Sequence, residues 1–167
     1  MRLTADDFNR LYREYARRVQ GFFLRMTGDA VWAEDMTQEL FTRLWSNRDN
    51  FDARQGTFAT WMYHAAYNLC KNEYRHRDVV AQTYDEEPAA VPSVAEELER
   101  RERRSVLNEA VRSLPDGVRE VFLLRYVEEL PIHDVALILG IPEGTVKSRA
   151  YTALMTLKEK MEQFNNE

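Results

Sequence analysis

The segment from Pro131 to Lys158 constrains the fold of this chain most, because its pattern predicts two short helices joined by a tight turn. Ala136 is small enough for a second helix to approach closely. Gly140, four residues later, can adopt the left-handed conformation that ends a helix. Val146 then points back into the small core that the helices share. This spacing predicts a helix-turn-helix, and an ordinary helical hairpin with glycine at its corner is the alternative.

The second helix of this pair is predicted to expose side chains that suit phosphates and base edges. These residues are Thr145, Lys147, Ser148, Arg149 and Tyr151. A helix that presents hydroxyl, ammonium and guanidinium groups on its open side favours DNA as the ligand of this segment.

The remainder of the chain is also predicted to be helical. Apolar residues recur at helical spacing along nearly all 167 residues, and no strand-like alternation competes with that pattern. We predict an all-α fold of two small helical domains joined by a flexible linker, with the helix-turn-helix in the second. The predicted ranges are 1–78 for the first domain, 79–92 for an acidic linker and 93–167 for the second domain.

Helix boundaries are predicted from capping residues and from the apolar pattern. Thr27-Gly28-Asp29 ends the first helix, and Asp29 is expected to cap the second, which runs to about Trp45 with Val31 and Trp45 in its apolar set. Thr57 opens a third helix that runs to about Arg77. Ser93 and Glu96 form a capping box before a fourth helix, whose buried side includes Leu107, and Pro115 is preset for the start of the next one.

The charge of the chain is unusual for a DNA-binding protein. The formal net charge is −5, and residues 79–98 hold five acids and no base, so the acid excess lies in one segment. Neutralisation of phosphates supplies most of the non-specific affinity for DNA. We therefore expect the isolated protein to bind DNA weakly and another molecule to supply affinity.

Several classes of protein are not favoured by the sequence. No apolar run is long enough to span a bilayer and no signal-like leader is present, so we expect a soluble, cytoplasmic protein without membrane insertion. Cys70 is the only cysteine, and its spacing from His64 and His76 fits no usual zinc site. No phosphate-binding glycine loop, nucleophile elbow or triad occurs. We predict no metal, no cofactor and no enzymatic activity.

The third helix interleaves aromatic rings with bases and amides. This combination is typical of surfaces that bind single-stranded nucleic acid, because rings stack on bases while cations follow the backbone. The candidate residues are Trp61, Tyr63, Asn68, Lys71, Asn72, Arg75 and Arg77. The alternative is structural: Trp61, Ala65 and Leu69 form a core stripe, and Tyr67, Tyr74 and the bases form a solvated rim.

The predicted second helix carries a group of acids, Glu34, Asp35 and Glu39, with Gln38 between them. Catalytic carboxylates need burial or a partner that shifts their pKa, and no histidine or metal ligand is adjacent. A solvated helix face is the simpler interpretation, and the same face could also dock a basic partner.

Three of these segments together resemble the extracytoplasmic-function group of the sigma-70 family of bacterial sigma factors. The segment DMTQELFTRLW (35–45) resembles the core-polymerase-binding helix of the family. TFATWMYHAAYNLCKNEYRHR (57–77) resembles its minus-ten helix, and SLPDGVREVFLLRYVEELPIHDVALILGIPEGTVKSRAY (113–151) its minus-thirty-five domain. The resemblance covers nearly the whole chain, in family order.

The resemblance implies a function and a set of partners. It implies binding of core RNA polymerase through Asp35, Gln38, Glu39, Phe41 and Leu44. It also implies recognition of promoter DNA, melting of the minus-ten element with capture of a flipped base near Asn68, and an inhibitory anti-sigma partner. The polymerase would then supply the missing DNA affinity. Two alternatives are a free-standing helix-turn-helix regulator and a sigma-like decoy that binds only an anti-sigma protein.

Overall fold

The structure is a computed structural model that describes residues 2–74 and 94–167. Within these two ranges the regular secondary structure is helical, and they contain no strand. The predictions that concern Arg75, Arg77, the acidic linker and the Ser93 cap lie outside the described residues.

In the described residues 2–74, the first domain consists of three α-helices around an aromatic core. Its elements are α1 (Ala5–Thr27), α2 (Ala30–Ser46), a 3₁₀ turn (Arg48–Asn50) and α3 (Phe58–Tyr74). Gly28 ends α1 in a left-handed conformation with φ 71°. Asp29 then caps α2, as predicted, because its carboxylate accepts a hydrogen bond of 2.9 Å from the backbone N–H of Trp32.

The core of this domain lies between the facing sides of the three helices. Its fully buried side chains include Val19, Phe22, Phe23, Leu40 and Met62, and the Tyr63 ring packs on Phe22 at the border between this core and the second domain. The prediction that Val31 belongs to the apolar side of α2 is wrong, since it is 69% exposed. Trp45 is 36% exposed, although its ring packs edge-on against Phe8 of α1 with centroids 5.1 Å apart. Val31 is four residues before Asp35, so both lie on the solvent side of α2 rather than on the side that packs on α1.

Residues 94–167 of the second domain form four α-helices. They are α4 (Val94–Ser113), α5 (Asp116–Phe122), α6 (Ile132–Leu139) and α7 (Glu143–Asn166). Pro115 immediately precedes α5, close to the position predicted for it. The sequence did not indicate that α5 continues into a π-helical turn, Leu123–Val127.

The inner side of α4 is only partly buried. Ala110, Val111 and Leu114 are buried as predicted, whereas Leu107 is 38% exposed and contradicts the prediction. Leu107 lines an open groove between α4 and α1, so no helix covers it.

The predicted helix-turn-helix is confirmed in α6 and α7. Gly140 has φ 65°, and its backbone N–H donates to the carbonyl of Ala136, which closes the last turn of α6. Val146 is fully buried between the two helices. The turn therefore has the geometry that the Ala136, Gly140 and Val146 spacing predicts.

Alanine at Gly140 is expected to destabilise the second domain by about 1–2 kcal/mol, because an L residue is strained in the left-handed region. Gly144 is the matched control, since it lies in the first turn of α7 and an added Cβ would meet no atom within 4 Å. Gly144→Ala should instead stabilise the domain by about 0.5 kcal/mol. Urea unfolding followed by circular dichroism measures both changes, and equal signs would contradict the assigned role of Gly140.

The two domains pack against each other. α3 of the first domain contacts α6 of the second, and α1 contacts α4. This packing determines which of the predicted functional residues are accessible.

Candidate nucleic-acid and polymerase interfaces

One open surface lies on the solvent side of α3. Asn68, Lys71 and Asn72 are exposed, and their spacing of three and four residues places them side by side. The Lys71 ammonium group also lies 5.5 Å from the centroid of the Tyr67 ring. The structure thus brings together two amides and one cation of the predicted minus-ten set.

The two aromatic members of that set lie elsewhere. Trp61 is half-buried against Phe51 and Phe58, with ring centroids 5.4 and 5.9 Å apart. Tyr63 is fully buried at the contact between the two domains. Tyr63 is therefore not available to stack on a base in this arrangement, and Trp61 exposes only part of its side chain.

A row of polar contacts joins α3 to the second domain. The interdomain hydroxyls, Thr60, Tyr63 and Tyr67, donate to the interdomain carboxylates, Asp134, Glu128 and Glu120 respectively. The Thr60 and Tyr67 bonds are both 3.2 Å long. Sequence reasoning missed these acids, because each partner is more than 50 residues away from its hydroxyl and leaves no local pattern.

Burial dominates the electrostatics of this contact. Loss of hydration raises the pKa of Glu128, although the Tyr63 hydroxyl and the Arg18 guanidinium act in the opposite direction. Loss of hydration likewise raises the pKa of Glu120. The Tyr63 hydroxyl, buried beside the Glu128 carboxylate, has its pKa raised for both reasons and stays a proton donor.

The second open surface is the start of α7. Lys147, Ser148 and Tyr151 are exposed, and Thr145 is half-buried. Arg149 is also half-buried, since its guanidinium lies over Gly117, where an added Cβ would meet Nη1 at 2.8 Å. Four of the five residues predicted to contact DNA therefore lie on the open side of the start of α7. The fifth, Arg149, packs against α5.

The third open surface is the solvent side of α2. Asp35 and Gln38 are exposed, while Glu39 is half-buried and bound to Arg43 at 2.6 Å. Phe41 and Leu44 lie in the core, 4% and 2% exposed, so they have little surface to offer a partner.

Exposed apolar surface on α2 is found instead at its two ends. Val31 lies at the start of the helix, and Trp45 lies near its end beneath the Arg48 guanidinium, which is 4.0 Å from the ring centroid. The apolar pattern of the sequence had assigned both residues to the apolar set of α2.

The described residues contain no group of three or more histidine, cysteine, aspartate or glutamate side chains placed to hold a metal ion. Cys70 is buried, and burial raises the pKa of its thiol. In the part of the chain that the structure describes, no helix combines the length and apolar character that crossing a membrane requires.

Both domains match known families. Residues 11–79 match the family described as Sigma-70 region 2, and residues 104–157 match Sigma-70, region 4. The first match contains α2 and α3, and the second contains the helix-turn-helix. The three open surfaces therefore fall within the matched residues.

Full-length relatives support the same assignment. The chain is 30% identical to the ECF RNA polymerase sigma factor SigW of Bacillus subtilis, over 93% of this chain and 89% of the relative. It is 32% identical to the ECF RNA polymerase sigma factor SigL of Mycobacterium tuberculosis, over 89% and 85% of the two chains.

A solved structure shows the same fold. The sigma factor RpoE in complex with the anti-sigma factor NepR from Bartonella quintana is similar to this chain with a TM-score of 0.77. The likeness covers 95% of this chain and 98% of the other, at 21% identity. With two family matches in order and relatives aligned over most of their length, the chain belongs to the extracytoplasmic-function group of the sigma-70 family of RNA polymerase sigma factors.

Proposed function

We propose that this protein binds core RNA polymerase, directs it to one class of promoters and helps to melt the start region. The observation that carries the proposal is that the two family matches fall on two helical domains, each with an open polar helix surface. Run-off transcription with core polymerase tests it. A free-standing regulator or a sigma-like decoy would give no promoter-dependent transcript in that assay.

In this proposal the two domains bind different partners or promoter elements. Residues 1–78 bind the polymerase through α2 and the minus-ten element through α3, and residues 93–167 bind the minus-thirty-five element through α7. Asp35, Gln38 and Glu39 would face a basic surface of the polymerase, where charges set encounter rate and register. Val31 and Trp45 are better placed than Phe41 and Leu44 to add apolar contact, because they are exposed.

The open surface of α3 would hold the non-template strand. An amide such as Asn68 offers a donor and an acceptor to the edge of a flipped base, and Lys71 can lie beside a phosphate. Arg75 and Arg77 would extend this surface. Trp61 would offer only the exposed part of its side chain, and Tyr63 would reach DNA only if the contacts around it rearranged.

Lys147→Ala and Arg149→Ala are expected to reduce use of promoters that depend on the minus-thirty-five element. Each side chain is worth about 1–3 kcal/mol if it binds a guanine through two hydrogen bonds. Core binding should be unchanged, because both residues belong to α7 and the proposed polymerase surface lies on α2. Transcription from matched templates with and without the element measures the loss.

The control for this pair is Lys158→Ala, which removes an exposed cation from the far end of the same helix. It should leave promoter use intact. If the Lys147 and Arg149 variants transcribed both templates as well as the unaltered protein does, the assignment of α7 to this element would be refuted.

We also propose an anti-sigma partner. A groove of about 360 Å³ runs between α1 and α4 and is lined by apolar side chains and arginines. Leu24, Leu107 and Val111 contribute apolar surface, and Arg25 and Arg104 contribute charge. A partner seated there would contact both domains at once.

The remaining assignments follow from the same family. We propose that the protein acts as an initiation factor without catalytic activity of its own, and that it does so in the cytoplasm with the polymerase. Its relatives SigW and SigL are RNA polymerase sigma factors, which supports both statements.

A further inference from the structure

The interdomain hydroxyls form a regular row. Thr60, Tyr63 and Tyr67 lie three and four residues apart, which places them on one side of α3. Each hydroxyl donates to a different carboxylate, and the three carboxylates come from three places in the second domain. An accidental contact between two domains would not be expected to pair every member of such a row.

The middle contact is the most deeply buried. The Glu128 side chain is 2% exposed, and besides the Tyr63 hydroxyl it is approached at 3.4 Å by the Arg18 guanidinium of α1. Arg18 also donates to the backbone carbonyl of Glu128 at 3.4 Å. Two helices of the first domain thus hold one residue of the second.

The backbone around Glu128 is unusual. The π-helical turn Leu123–Val127 precedes it, and the Glu128 N–H donates to the carbonyl of Leu123, five residues earlier. Such a wide turn changes the direction in which the next side chain points. Glu129 follows with φ 57°, a conformation that costs a non-glycine residue free energy. This strained segment delivers the Glu128 carboxylate to the domain contact.

The contact also engages the predicted DNA-binding side of α7. Arg149 lies close enough to Glu120 to lower the pKa of that carboxyl against the effect of burial. Glu120 therefore faces Tyr67 from the first domain and Arg149 from its own domain. Closure thus involves residues near both proposed DNA surfaces.

The contact is also suited to opening. Burial raises the pKa of Glu120 and of Glu128, which means that dehydration of these carboxylates opposes closure. The contact has polar groups on both sides, hydroxyls on α3 and carboxylates on the second domain, and water can hydrate both sets when the domains separate.

We infer that the interdomain carboxylates form a clasp that holds the two domains closed and covers Tyr63 and Tyr67, so that the second domain competes with promoter DNA for this side of α3. The competition with DNA rests on the function proposed above, whereas the clasp itself does not. An unpartnered chain would then bind minus-ten DNA only in the fraction of time that it spends open.

The test compares two triple variants of the full chain. The clasp variant carries Glu120→Ala, Glu128→Ala and Asp134→Ala. The control variant carries Glu102→Ala, Glu109→Ala and Glu159→Ala, which remove three exposed carboxylates of the same domain and change the net charge equally. Tyr63→Phe is an independent variant that keeps the ring and removes only the hydroxyl. Circular dichroism checks that each variant is folded.

Two quantities are measured for each variant. Small-angle X-ray scattering gives the radius of gyration, and fluorescence anisotropy gives the affinity for a single-stranded oligonucleotide with the minus-ten sequence of a promoter that the holoenzyme uses. The clasp variant and Tyr63→Phe should have a larger radius of gyration than the control. The clasp variant should also bind the oligonucleotide roughly tenfold more tightly than the control, because apparent affinity scales with the open fraction.

The outcomes separate the two proposals. If the clasp variant and Tyr63→Phe kept the radius of gyration of the control, the clasp would be overturned. If the clasp variant opened but bound the oligonucleotide no better than the control, the clasp would stand. The assignment of the Tyr63 and Tyr67 side of α3 to DNA would then be wrong.

Discussion

Asp35→Lys combined with Glu39→Lys is expected to weaken binding to core RNA polymerase on the order of a hundredfold while the protein remains folded. Both side chains lie on the solvent side of α2, where Asp35 is exposed and Glu39 is half-buried. If this side meets a basic surface, the two lysines replace attraction by repulsion, and like charges placed together cost several kcal/mol. Competition with the unaltered protein for a limiting amount of core polymerase measures the loss.

The control for this double variant is Glu14→Lys with Asp49→Lys, which reverses two exposed charges elsewhere in the first domain. It should compete as well as the unaltered protein does. Part of the Glu39 effect is internal, because Glu39 is bound to Arg43 and a lysine there would repel that guanidinium. Asp35→Lys alone should therefore retain most of the binding defect. Full competition by the double variant would refute the polymerase assignment of α2.

Asn68→Ala is expected to slow the formation of open complexes on duplex promoters about tenfold or more, because a base-edge contact of about 1–3 kcal/mol is lost. Flipping a base costs a few kcal/mol, so opening depends on a contact that offsets this cost. A template with a pre-melted bubble removes much of that cost and should restore part of the rate. Permanganate footprinting of unpaired thymines measures opening on both templates.

His64→Ala is the control for Asn68, since His64 is also exposed and lies one turn earlier on the same side of α3. It should affect opening little. An Asn68 variant with an unchanged opening rate and unchanged base preference would show that Asn68 is an ordinary surface residue and that the base pocket lies elsewhere.

Prediction from the sequence succeeded where a feature depends on neighbouring residues. Asp29 caps α2 and Gly140 ends α6 because each acts on backbone groups within a few positions of itself. Helical periodicity likewise indicated an all-α chain, which the described residues confirm. The order of three family-like segments was also visible in the sequence, and the family matches support it.

Prediction was less successful where a helix has apolar residues on more than one side. On α2, periodicity did not distinguish Val31 and Trp45, which are exposed, from Phe41 and Leu44, which are buried. Helix α1 packs on Phe41 through Phe8 and Tyr12, and it contacts one side of Trp45 through Phe8 without covering that ring. Periodicity within α2 holds no information about the position of α1. The polymerase surface that the family resemblance implied therefore contained two residues, Phe41 and Leu44, that lie in the core.

Local patterns in the sequence were enough to predict the Asp29 cap of α2, the Gly140 end of α6, the helix-turn-helix and the family. The burial of Tyr63 and the hydrogen bond from its hydroxyl to Glu128, a residue 65 positions away, could not be predicted in this way. Caps and periodicity act within one or two helical turns, whereas a contact between domains depends on how both complete domains pack. A tyrosine on an amphipathic helix such as α3 can therefore resemble a base-stacking residue in the sequence and be an interdomain hydrogen-bond donor in the fold.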